Sequence, residues 1–264
     1  MSILEKICAD KRIHVESRKK ELPLSELREK TQRPDAPFAF EKALRQTSEK
    51  GKPAFICEVK KASPSKGVIS EDFDPVRQAR VYQNAGTSCI SVLTDTPYFM
   101  GSDTDFKNVR KAVSCPLIRK DFMVDLYQIY ESRYLGADCV LLIMASLDDG
   151  LAKEMRSLAE ELGMSTLIEV HNRKELERAH TLSPRLIGVN SRNLKTMKVD
   201  VDATISMAAD IKDGILPIAE SGIKTPSDVS ALYKGGYRGF LIGESLMRSK
   251  DASQSIKALE NISI

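Results

Sequence analysis

Residues 139–170 read CVLLIMASLDDGLAKEMRSLAEELGMSTLIEV. The stretch begins with a short apolar run, CVLLIM, and ends with another, STLIEV. Between them, apolar residues recur at three- and four-residue spacing after a polar turn. The two runs are typical of buried strands, and the middle segment is typical of an amphipathic helix. This stretch therefore predicts two parallel strands joined by a crossover helix.

The same alternation extends in both directions along the chain. The apolar runs are AFICEV, CISVLT, PLIRKDF, CVLLIM, STLIEV, LIGVN, ILPIAE and FLIGE. The predicted strands end near residues 58, 94, 120, 143, 169, 190, 220 and 243, and such spacing leaves room for one helix and two loops per step. Eight units predict an α/β fold, a (β/α)₈ TIM barrel. An open doubly wound sheet is the alternative, although no G-x-G-x-x-G follows the first strand.

The first fifty residues stand outside this pattern. Residues 1–33 carry nine basic and six acidic side chains, and Ile3, Leu4 and Ile7 form one apolar stripe. We predict a charged helix there and a second short helix near PFAFEKALRQ. Residues 1–264 thus read as a single barrel domain, with residues 1–50 as an N-terminal helical extension. The extension either packs on the barrel as a solvated appendage, which the sequence alone slightly favours, or covers one barrel mouth and helps to close the site.

Composition limits the class of partner. Among 264 residues, 40 basic and 37 acidic side chains give a net charge of +3, which is too balanced to favour nucleic-acid binding. The N-terminus MSILEKICADKR meets charge within five residues, and no uncharged run is long enough to span a bilayer. We therefore expect a cytoplasmic protein without a nucleic-acid or membrane partner, and we predict a monomer or weak homodimer.

The cysteines and histidines do not suggest a metal site. The five cysteines are Cys8, Cys57, Cys89, Cys115 and Cys139. They contain no Cys-x-x-Cys pair, and none of the three histidines stands near a cysteine at ligand spacing. We expect reduced core thiols in a reducing compartment and no metal.

Polar residues recur at the predicted strand ends. Side chains alternate along a strand, so every second residue faces the barrel interior. The inward pairs or sets are Ile56, Glu58 and Lys60; Ile118 and Lys120; Leu167 and Glu169; Gly188 and Asn190; and Ile218 and Glu220. One strand-end charge is usually a solvated rim residue. Five strands that end this way predict a catalytic cavity at the C-terminal face, where barrel enzymes place their active sites.

A second set of residues predicts an anion site. The turns after the seventh and eighth strands read ESGIKTPSD and IGESLM. In barrels these two loops commonly bind phosphate through backbone N–H groups. Ser221, Gly222, Gly243 and Glu244 are the predicted phosphate-binding residues, and Lys60 is a candidate countercharge.

Ordered blocks over essentially the whole chain resemble indole-3-glycerol phosphate synthase, the decarboxylating ring-closing enzyme of tryptophan biosynthesis. The blocks are EVKKASPSKG, SVLTDTPYFMGS, PLIRKDFMVDLYQI, ADCVLLIM, IEVHN, IGVNSRNLKT, AESGI and LIGESLM. One departure is Met100, where a polar or small residue is expected. The resemblance implies conversion of 1-(2-carboxyphenylamino)-1-deoxyribulose 5-phosphate to indole-3-glycerol phosphate, with release of carbon dioxide and water and without a cofactor. The motif positions of the family correspond here to Glu58, Lys60, Ser63, Lys120, Glu169, Asn190, Arg192, Glu220 and Ser221.

The chemistry of this ring closure suggests roles for the polar residues. Lys120 is the candidate acid at the ketone oxygen, and we expect Lys60 or Arg119 to lower its pKa. Glu169 is suited to one of the two proton transfers of the dehydration, and Glu58 or Lys60 would take part in the other. Which group is the acid and which the base stays open.

The remaining candidates bind the substrate. Asn190, Glu220 and Ser221 are expected to bind sugar hydroxyls. The apolar candidates that would hold the aryl ring are Pro64, Phe99, Phe122, Leu142, Leu194 and Ile242.

Three other readings remain open. Lys120 is also a candidate Schiff-base nucleophile, as in barrel aldolases. An isomerase of the same pathway would use a Cys and Asp pair, but Cys57 lies on the face opposite Glu58. A barrel that merely binds a phosphorylated metabolite and regulates a partner is the third.

Overall fold

A computed structural model describes residues 2–192 and 199–262. Eight parallel strands close into a barrel, in the order β1-β8-β7-β6-β5-β4-β3-β2. The strands are β1 Ala54–Val59, β2 Cys89–Leu93, β3 Leu117–Lys120, β4 Cys139–Ile143, β5 Ser165–Val170, β6 Leu186–Asn190, β7 Leu216–Glu220 and β8 Gly239–Ile242. This is the predicted (β/α)₈ barrel, and the open sheet is excluded.

Helices surround the barrel and also precede it. They are α1 Ile3–Glu21, α2 Leu24–Lys30, α3 Ala39–Glu49, α4 Pro75–Asn84, α5 Thr96–Phe99, α6 Asp103–Ala112, α7 Tyr127–Leu135, α8 Asp149–Glu161, α9 Arg173–Thr181, α10 Val201–Met207, α11 Pro226–Lys234, α12 Glu244–Met247 and α13 Ala252–Glu260. A one-turn 3₁₀ helix, Ala208–Asp210, follows α10, and a small antiparallel hairpin pairs Ala62–Ser63 with Gly67–Val68. Within the described residues, no helix combines the length and apolarity needed to cross a bilayer.

Alternation along the strands separates two cores. Ile56, Ile118, Leu167 and Ile218 belong to one cluster that fills the barrel interior. Their neighbours in sequence, such as Cys57, belong to a larger cluster between the barrel and its helices. Because side chains alternate along a strand, Glu58, Lys120, Glu169 and Glu220 continue the inward rows above the interior core. Leu186 of β6 lies in the same interior cluster and Asn190 lines the cavity, so the predicted parity of all five strands is confirmed.

The two ends of the barrel are closed by different parts of the N-terminal extension. Phe40 and Leu44 of α3 pack into the interior cluster, below the strand starts. Helix α1 lies at the opposite end, where Ile3, Leu4 and Ile7 line the cavity at the C-terminal mouth. The extension therefore covers a barrel mouth, as in the second of the two readings considered from the sequence.

A buried lysine joins α1 to the barrel. The Lys11 Nζ atom lies 2.8 Å from Oδ1 of Asp95 and 2.7 Å from Oδ1 of Asp121, and the exposed fractions of the three side chains are 5%, 1% and 2%. Burial would lower the pKa of Lys11, but the charges of Asp121 and Asp95 outweigh burial and raise it. The same charge on Lys11, with that of Arg119, lowers the pKa of Asp121 against its burial. Lys11 and Asp121 are therefore both ionised at neutral pH.

A second cation extends this network behind the site. Arg119 points away from the cavity and reaches Glu131 at 2.9 Å and Asp103 at 3.1 Å. Arg18 of α1 contacts the same Glu131 at 3.0 Å. Two cations of α1 therefore hold the helix against the segment that carries Lys120.

We expect Lys11→Met to lower the free energy of unfolding by about 3–5 kcal/mol, because removal of one partner leaves buried charges uncompensated. Urea unfolding followed by circular dichroism measures the change. Lys20→Met is the matched control, since Lys20 is exposed on the same helix. Equal stability of the two variants would contradict a structural role for the Lys11 ion pairs.

Candidate active site

The C-terminal mouth of the barrel opens into a cavity of about 810 Å³. This volume lies within the range of small-molecule sites in proteins. Strand ends β1, β3, β5, β6 and β7 contribute charged or amide side chains to its wall, and the turns after β7 and β8 contribute backbone. Helix α1 and the end of α5 supply apolar side chains on one side.

Most predicted site residues meet in this one cavity. The lining residues among them are Glu58, Lys60, Ser63, Pro64, Phe99, Lys120, Phe122, Glu169, Asn190, Arg192, Glu220, Ser221, Gly222, Ile242, Gly243 and Glu244. Leu194 lies outside the described residues.

The prediction that Leu142 would hold the aryl ring in the cavity was wrong. Leu142 belongs to the outer cluster between barrel and helices. Its neighbours Leu141 and Ile143 face inward and line the cavity. The alternation that identified Glu58 also identifies these two residues. The prediction for Leu142 was wrong because it did not apply strand parity to β4.

Lys120 is the cation at the centre of the polar wall. Its Nζ lies 2.8 Å from Oε2 of Glu220 and 3.6 Å from Oε2 of Glu169. Burial lowers the pKa of Lys120, but the charges of Glu220, Glu169 and Glu58 raise it by more, so the net shift is upward. The expectation that Lys60 or Arg119 lowers this pKa was wrong, because three carboxylates face Lys120 and Arg119 points outward. Lys120 is therefore a fully protonated ammonium at neutral pH.

The carboxylates around Lys120 differ in ionisation. Burial raises the pKa of Glu169, but His171 and Lys120 lower it by more, so Glu169 stays ionised. Burial raises the pKa of Glu220 to about 8; Lys120 lowers this pKa but offsets only part of the rise, to which the charge of Glu169 also adds. Neighbouring carboxyls whose environments push their pKa values apart are suited to different proton-transfer roles.

Glu58 and Lys60 form a second acid and base couple on β1 and just beyond it. The Lys60 Nζ lies 2.5 Å from Oε1 of Glu58. Burial raises the pKa of Glu58, but the charges of Lys60 and Lys120 outweigh it and lower the pKa. A Cβ at Gly243 would lie 2.4 Å from Oε1 of Glu58 and 3.1 Å from Nζ of Lys60, so only glycine leaves room for this pair beside β8.

The two turns predicted to bind an anion line the cavity, and the turn after β8 lies beside Lys60. Ser221 and Gly222 both have left-handed φ angles, 68° and 79°, which is uncommon for serine. A Cβ at Gly222 would lie 2.6 Å from Cγ1 of Val199, so a side chain does not fit there. Gly243 precedes the short helix α12, whose first residue is Glu244. The Glu244 carboxylate is drawn toward Arg248 at 3.4 Å, so its backbone, rather than its charge, is available to an anion.

An aromatic pair forms the apolar wall. The ring centroids of Phe99 and Phe122 lie 5.9 Å apart at an interplanar angle of 38°. Phe122 also packs against the interior cluster and against the α1 cluster of Leu4 and its neighbours. These contacts fix two aromatic rings in the cavity lining.

Sequence reasoning missed several residues at the site. Asp121 and Leu93 line the cavity, and His171 contacts Glu169 from outside it at 3.2 Å. Strand parity continued one step past β5 points to His171, two residues after Glu169, but it does not identify Asp121, which is out of phase with Lys120. The apolar stripe of Ile3, Leu4 and Ile7 was recognised, but its place in the cavity wall needs the three-dimensional structure.

The cysteines take no part in the site. All five are buried and unpaired in the structure. Cys57 faces the outer cluster, and burial raises the pKa of its thiol to about 12. The isomerase reading, which needs a reactive cysteine in the cavity, therefore has no support.

Comparison with known proteins agrees with this geometry. A family model described as indole-3-glycerol phosphate synthase matches residues 4–259. An indole-3-glycerol phosphate synthase of Azospirillum brasilense is 49% identical over 257 residues, 97% of this chain and 98% of the relative. That of Rhodospirillum rubrum is 46% identical over 258 residues, again 97% and 98%.

Solved structures of low sequence identity share the barrel. The α subunit of tryptophan synthase from Legionella pneumophila aligns with a TM-score of 0.62 at 13% identity, over 85% of this chain and 99% of that one. A 3-hexulose-6-phosphate synthase aligns with a TM-score of 0.64 at 13% identity, over 80% and 100%. At such identities these two show the fold alone. The full-length match to the family model and to the two synthases shows that the chain belongs to the indole-3-glycerol phosphate synthase family, carboxy-lyases of tryptophan biosynthesis.

Proposed function

We propose that the cavity closes the indole ring of 1-(2-carboxyphenylamino)-1-deoxyribulose 5-phosphate, with Lys120 as the acid of the first step. The observation that carries this assignment is the position of Lys120, a buried ammonium within 2.8 Å of Glu220 and 3.6 Å of Glu169, at the centre of the cavity. The two glycine-containing turns and the aromatic pair line the same cavity.

The phosphate end of the substrate fits the turns after β7 and β8. Backbone N–H groups of Ser221, Gly222, Gly243 and Glu244 are the donors, because the glycines there leave no side chain in the way. Lys60 supplies the countercharge, since its ammonium lies beside Gly243. This end of the cavity fixes one terminus of the sugar chain.

The aryl end fits the wall formed by Phe99, Phe122 and the first turns of α1. Leu4 and Ile7 lie on the same side of the cavity, and Pro64 borders it. With both ends held, the sugar hydroxyls fall beside Asn190, Glu220 and Ser221. Holding the aryl carbon and the ketone carbon in near contact supplies a large share of the barrier reduction.

The first chemical step joins the aryl carbon that bears the carboxylate to the ketone carbon. The ketone oxygen gains negative charge and takes a proton from the Lys120 ammonium. Because Glu220, Glu169 and Glu58 keep Lys120 protonated, Lys120 already carries the proton that it donates when the substrate reacts. The carbon–carboxylate bond then breaks, carbon dioxide leaves, and the electron pair restores the aromatic ring.

The last step expels the hydroxyl derived from the ketone. The hydroxyl takes a second proton and leaves as water, while the adjacent ring carbon loses a proton and the new double bond forms. Glu169 suits the base, because it is held ionised beside two cations. The Glu58–Lys60 couple supplies the proton to the leaving hydroxyl. With the substrate carboxylate ionised, each turnover takes up one proton and releases carbon dioxide and water.

A glycine on β6 supports the position of Glu220. A Cβ at Gly188 would lie 2.0 Å from Oε1 of Glu220, and 3.2 Å from Cδ1 of Leu167. The Glu220 carboxylate therefore occupies the space that any other residue at 188 would fill. In this position its second oxygen, Oε2, contacts Lys120 at 2.8 Å.

Lys120 is better suited to act as an acid than as a Schiff-base nucleophile. A nucleophilic lysine needs a lowered pKa that frees its amine, whereas the carboxylates here raise the pKa of Lys120. The density of buried ionisable groups also favours an enzyme over a barrel that only binds a metabolite.

We further propose that the chain works in the cytoplasm as a monomer or weak homodimer. The balanced charge and the five buried thiols support this setting. Sedimentation velocity at micromolar concentration is expected to give a species of one chain, 29.3 kDa, with at most weak self-association. A stable tetramer would contradict it.

We expect Lys120→Ala and Glu169→Gln each to lower kcat by about 10²- to 10⁴-fold, the usual contribution of a positioned acid or base. The measurement adds the carboxyphenylamino deoxyribulose phosphate and follows indole fluorescence. Binding of a phosphate ester is expected to persist in both variants, because the phosphate turns lie elsewhere in the cavity.

Two results would contradict these assignments. Near-normal turnover by Lys120→Ala would exclude Lys120 as the acid. An imine between Lys120 and a ketose phosphate, trapped by borohydride in the wild-type chain, would favour the aldolase reading instead.

We expect Gly188→Ala to lower kcat by about 10²-fold or more, because its methyl group displaces the Glu220 carboxylate from Lys120. Gly150→Ala is the matched control, since its Cβ would meet only Oδ1 of Asp148, at 3.2 Å. Steady-state kinetics and thermal unfolding of both variants separate the site effect from a loss of fold. Full activity of Gly188→Ala would show that the Glu220 position does not matter.

A further inference from the structure

His171 lies immediately beyond β5, two residues after Glu169 and outside the cavity wall. Its side chain is 9% exposed. The ring sits between two carboxylates, with Nε2 at 3.2 Å from Oε1 of Glu169 and Nδ1 at 3.1 Å from Oε2 of Glu175. Both ring nitrogens carry a proton when histidine is charged, so this arrangement suits an imidazolium.

The outer carboxylate is held by the start of α9. Glu175 Oε2 accepts a hydrogen bond from the backbone N–H of His171 at 2.8 Å, and Oε1 accepts one from the Asn172 side chain at 2.7 Å. Asn172 in turn caps α9 by accepting from the backbone N–H of Glu175 at 3.0 Å. The helix N-terminus thus fixes Glu175, and Glu175 fixes the imidazole.

The inner carboxylate divides its two oxygens between different partners. Oε1 of Glu169 faces His171, while Oε2 faces Lys120 at 3.6 Å across the cavity. A rotation of the carboxylate would break the contact with His171. The imidazole therefore determines which oxygen of Glu169 points at the substrate.

The charges of Glu169, His171 and Glu175, which lie in a row, favour an ionised Glu169. Burial lowers the pKa of His171, but Glu169 and Glu175 raise it by more, to about 10. The charged groups that face the imidazole are Glu169 of β5 and Glu175 of α9. Lys120 of β3 and Glu220 of β7 face Glu169 from the cavity side.

We propose that His171 is a positioning residue, which with Glu175 orients the Glu169 carboxylate and keeps it ionised as the base for dehydration. This inference rests on the proposed function for its catalytic consequence. The arrangement itself, a carboxylate, an imidazolium and a carboxylate in a row from the cavity toward the surface, is a property of the fold. His171 does not touch the substrate, so it acts only through Glu169.

The test compares His171→Ala, His171→Gln and Glu175→Gln with the wild-type chain in steady-state kinetics across pH. We expect His171→Ala to lower kcat about 10- to 100-fold, a part of what a positioned base contributes, with KM changed less than about threefold. His171→Gln keeps a hydrogen-bond donor without the charge, and is expected to recover part of the loss. Glu175→Gln is expected to give a smaller loss in the same direction.

The pH profile separates positioning from a merely structural role. The imidazolium lowers the pKa of Glu169, so its loss raises that pKa, and the acid limb of the kcat profile moves to higher pH in His171→Ala and His171→Gln. His180→Gln is the control, because His180 lies on the same helix α9 and outside the cavity lining. It is expected to keep the wild-type kcat and acid limb.

A second measurement does not depend on turnover. Carbon-13 NMR of labelled glutamate carboxyls, with Glu169→Gln identifying the signal, gives the Glu169 pKa in each chain. A wild-type chain without turnover but with a Glu169 pKa that rises in His171→Gln would overturn the proposed function and support the positioning role. Unchanged kcat, acid limb and Glu169 pKa in folded His171→Gln would overturn the inference, as would a loss confined to KM.

Discussion

The structure depends on balancing several buried charges at one end of a barrel. Glu58, Glu169 and Glu220 bring carboxyls into the cavity wall, and Lys60 and Lys120 bring two ammonium groups. Isolated, each of these charges would cost several kcal/mol to bury, of which pairing recovers much. The pairs are close enough for this, at 2.5 Å between Glu58 and Lys60 and 2.8 Å between Lys120 and Glu220. The resulting cluster is preorganised, so its charges need little rearrangement when charge develops on a substrate.

Much of this arrangement follows from the period of two along a strand. Alternation alone predicts that Glu58, Lys120, Glu169, Asn190 and Glu220 face the interior, and all five line one cavity. The same rule, applied consistently, would have excluded Leu142 and chosen Leu141 and Ile143. Glycine turns after the last two strands were also predictable, because short side chains at these positions are a known feature of barrel phosphate sites.

Other features depend on contacts between distant parts of the chain, which a single sequence does not specify. Nothing in the spacing of Lys11 indicates that it meets Asp95 and Asp121, about a hundred residues away. The predicted direction of the Lys120 pKa shift was wrong for a related reason. The sequence suggested two cations, Arg119 next to Lys120 and Lys60 at the end of another strand, whereas the barrel brings carboxylates from three other strands to Lys120. The order in which strands pair around the closed barrel determines which charged side chains lie next to Lys120. That order is a property of the whole fold.

The buried ion pairs of Lys11 also constrain the order in which the chain acquires its structure during synthesis. Helix α1 leaves the ribosome first, yet its partners Asp95 and Asp121 follow β2 and β3 and emerge about a hundred residues later. A nascent chain that ends before residue 121 therefore holds a lysine whose acidic partners are not both made. The Lys11 ion pairs, and the docking of the N-terminal helix that depends on them, can therefore be completed only after the first three strands have been translated.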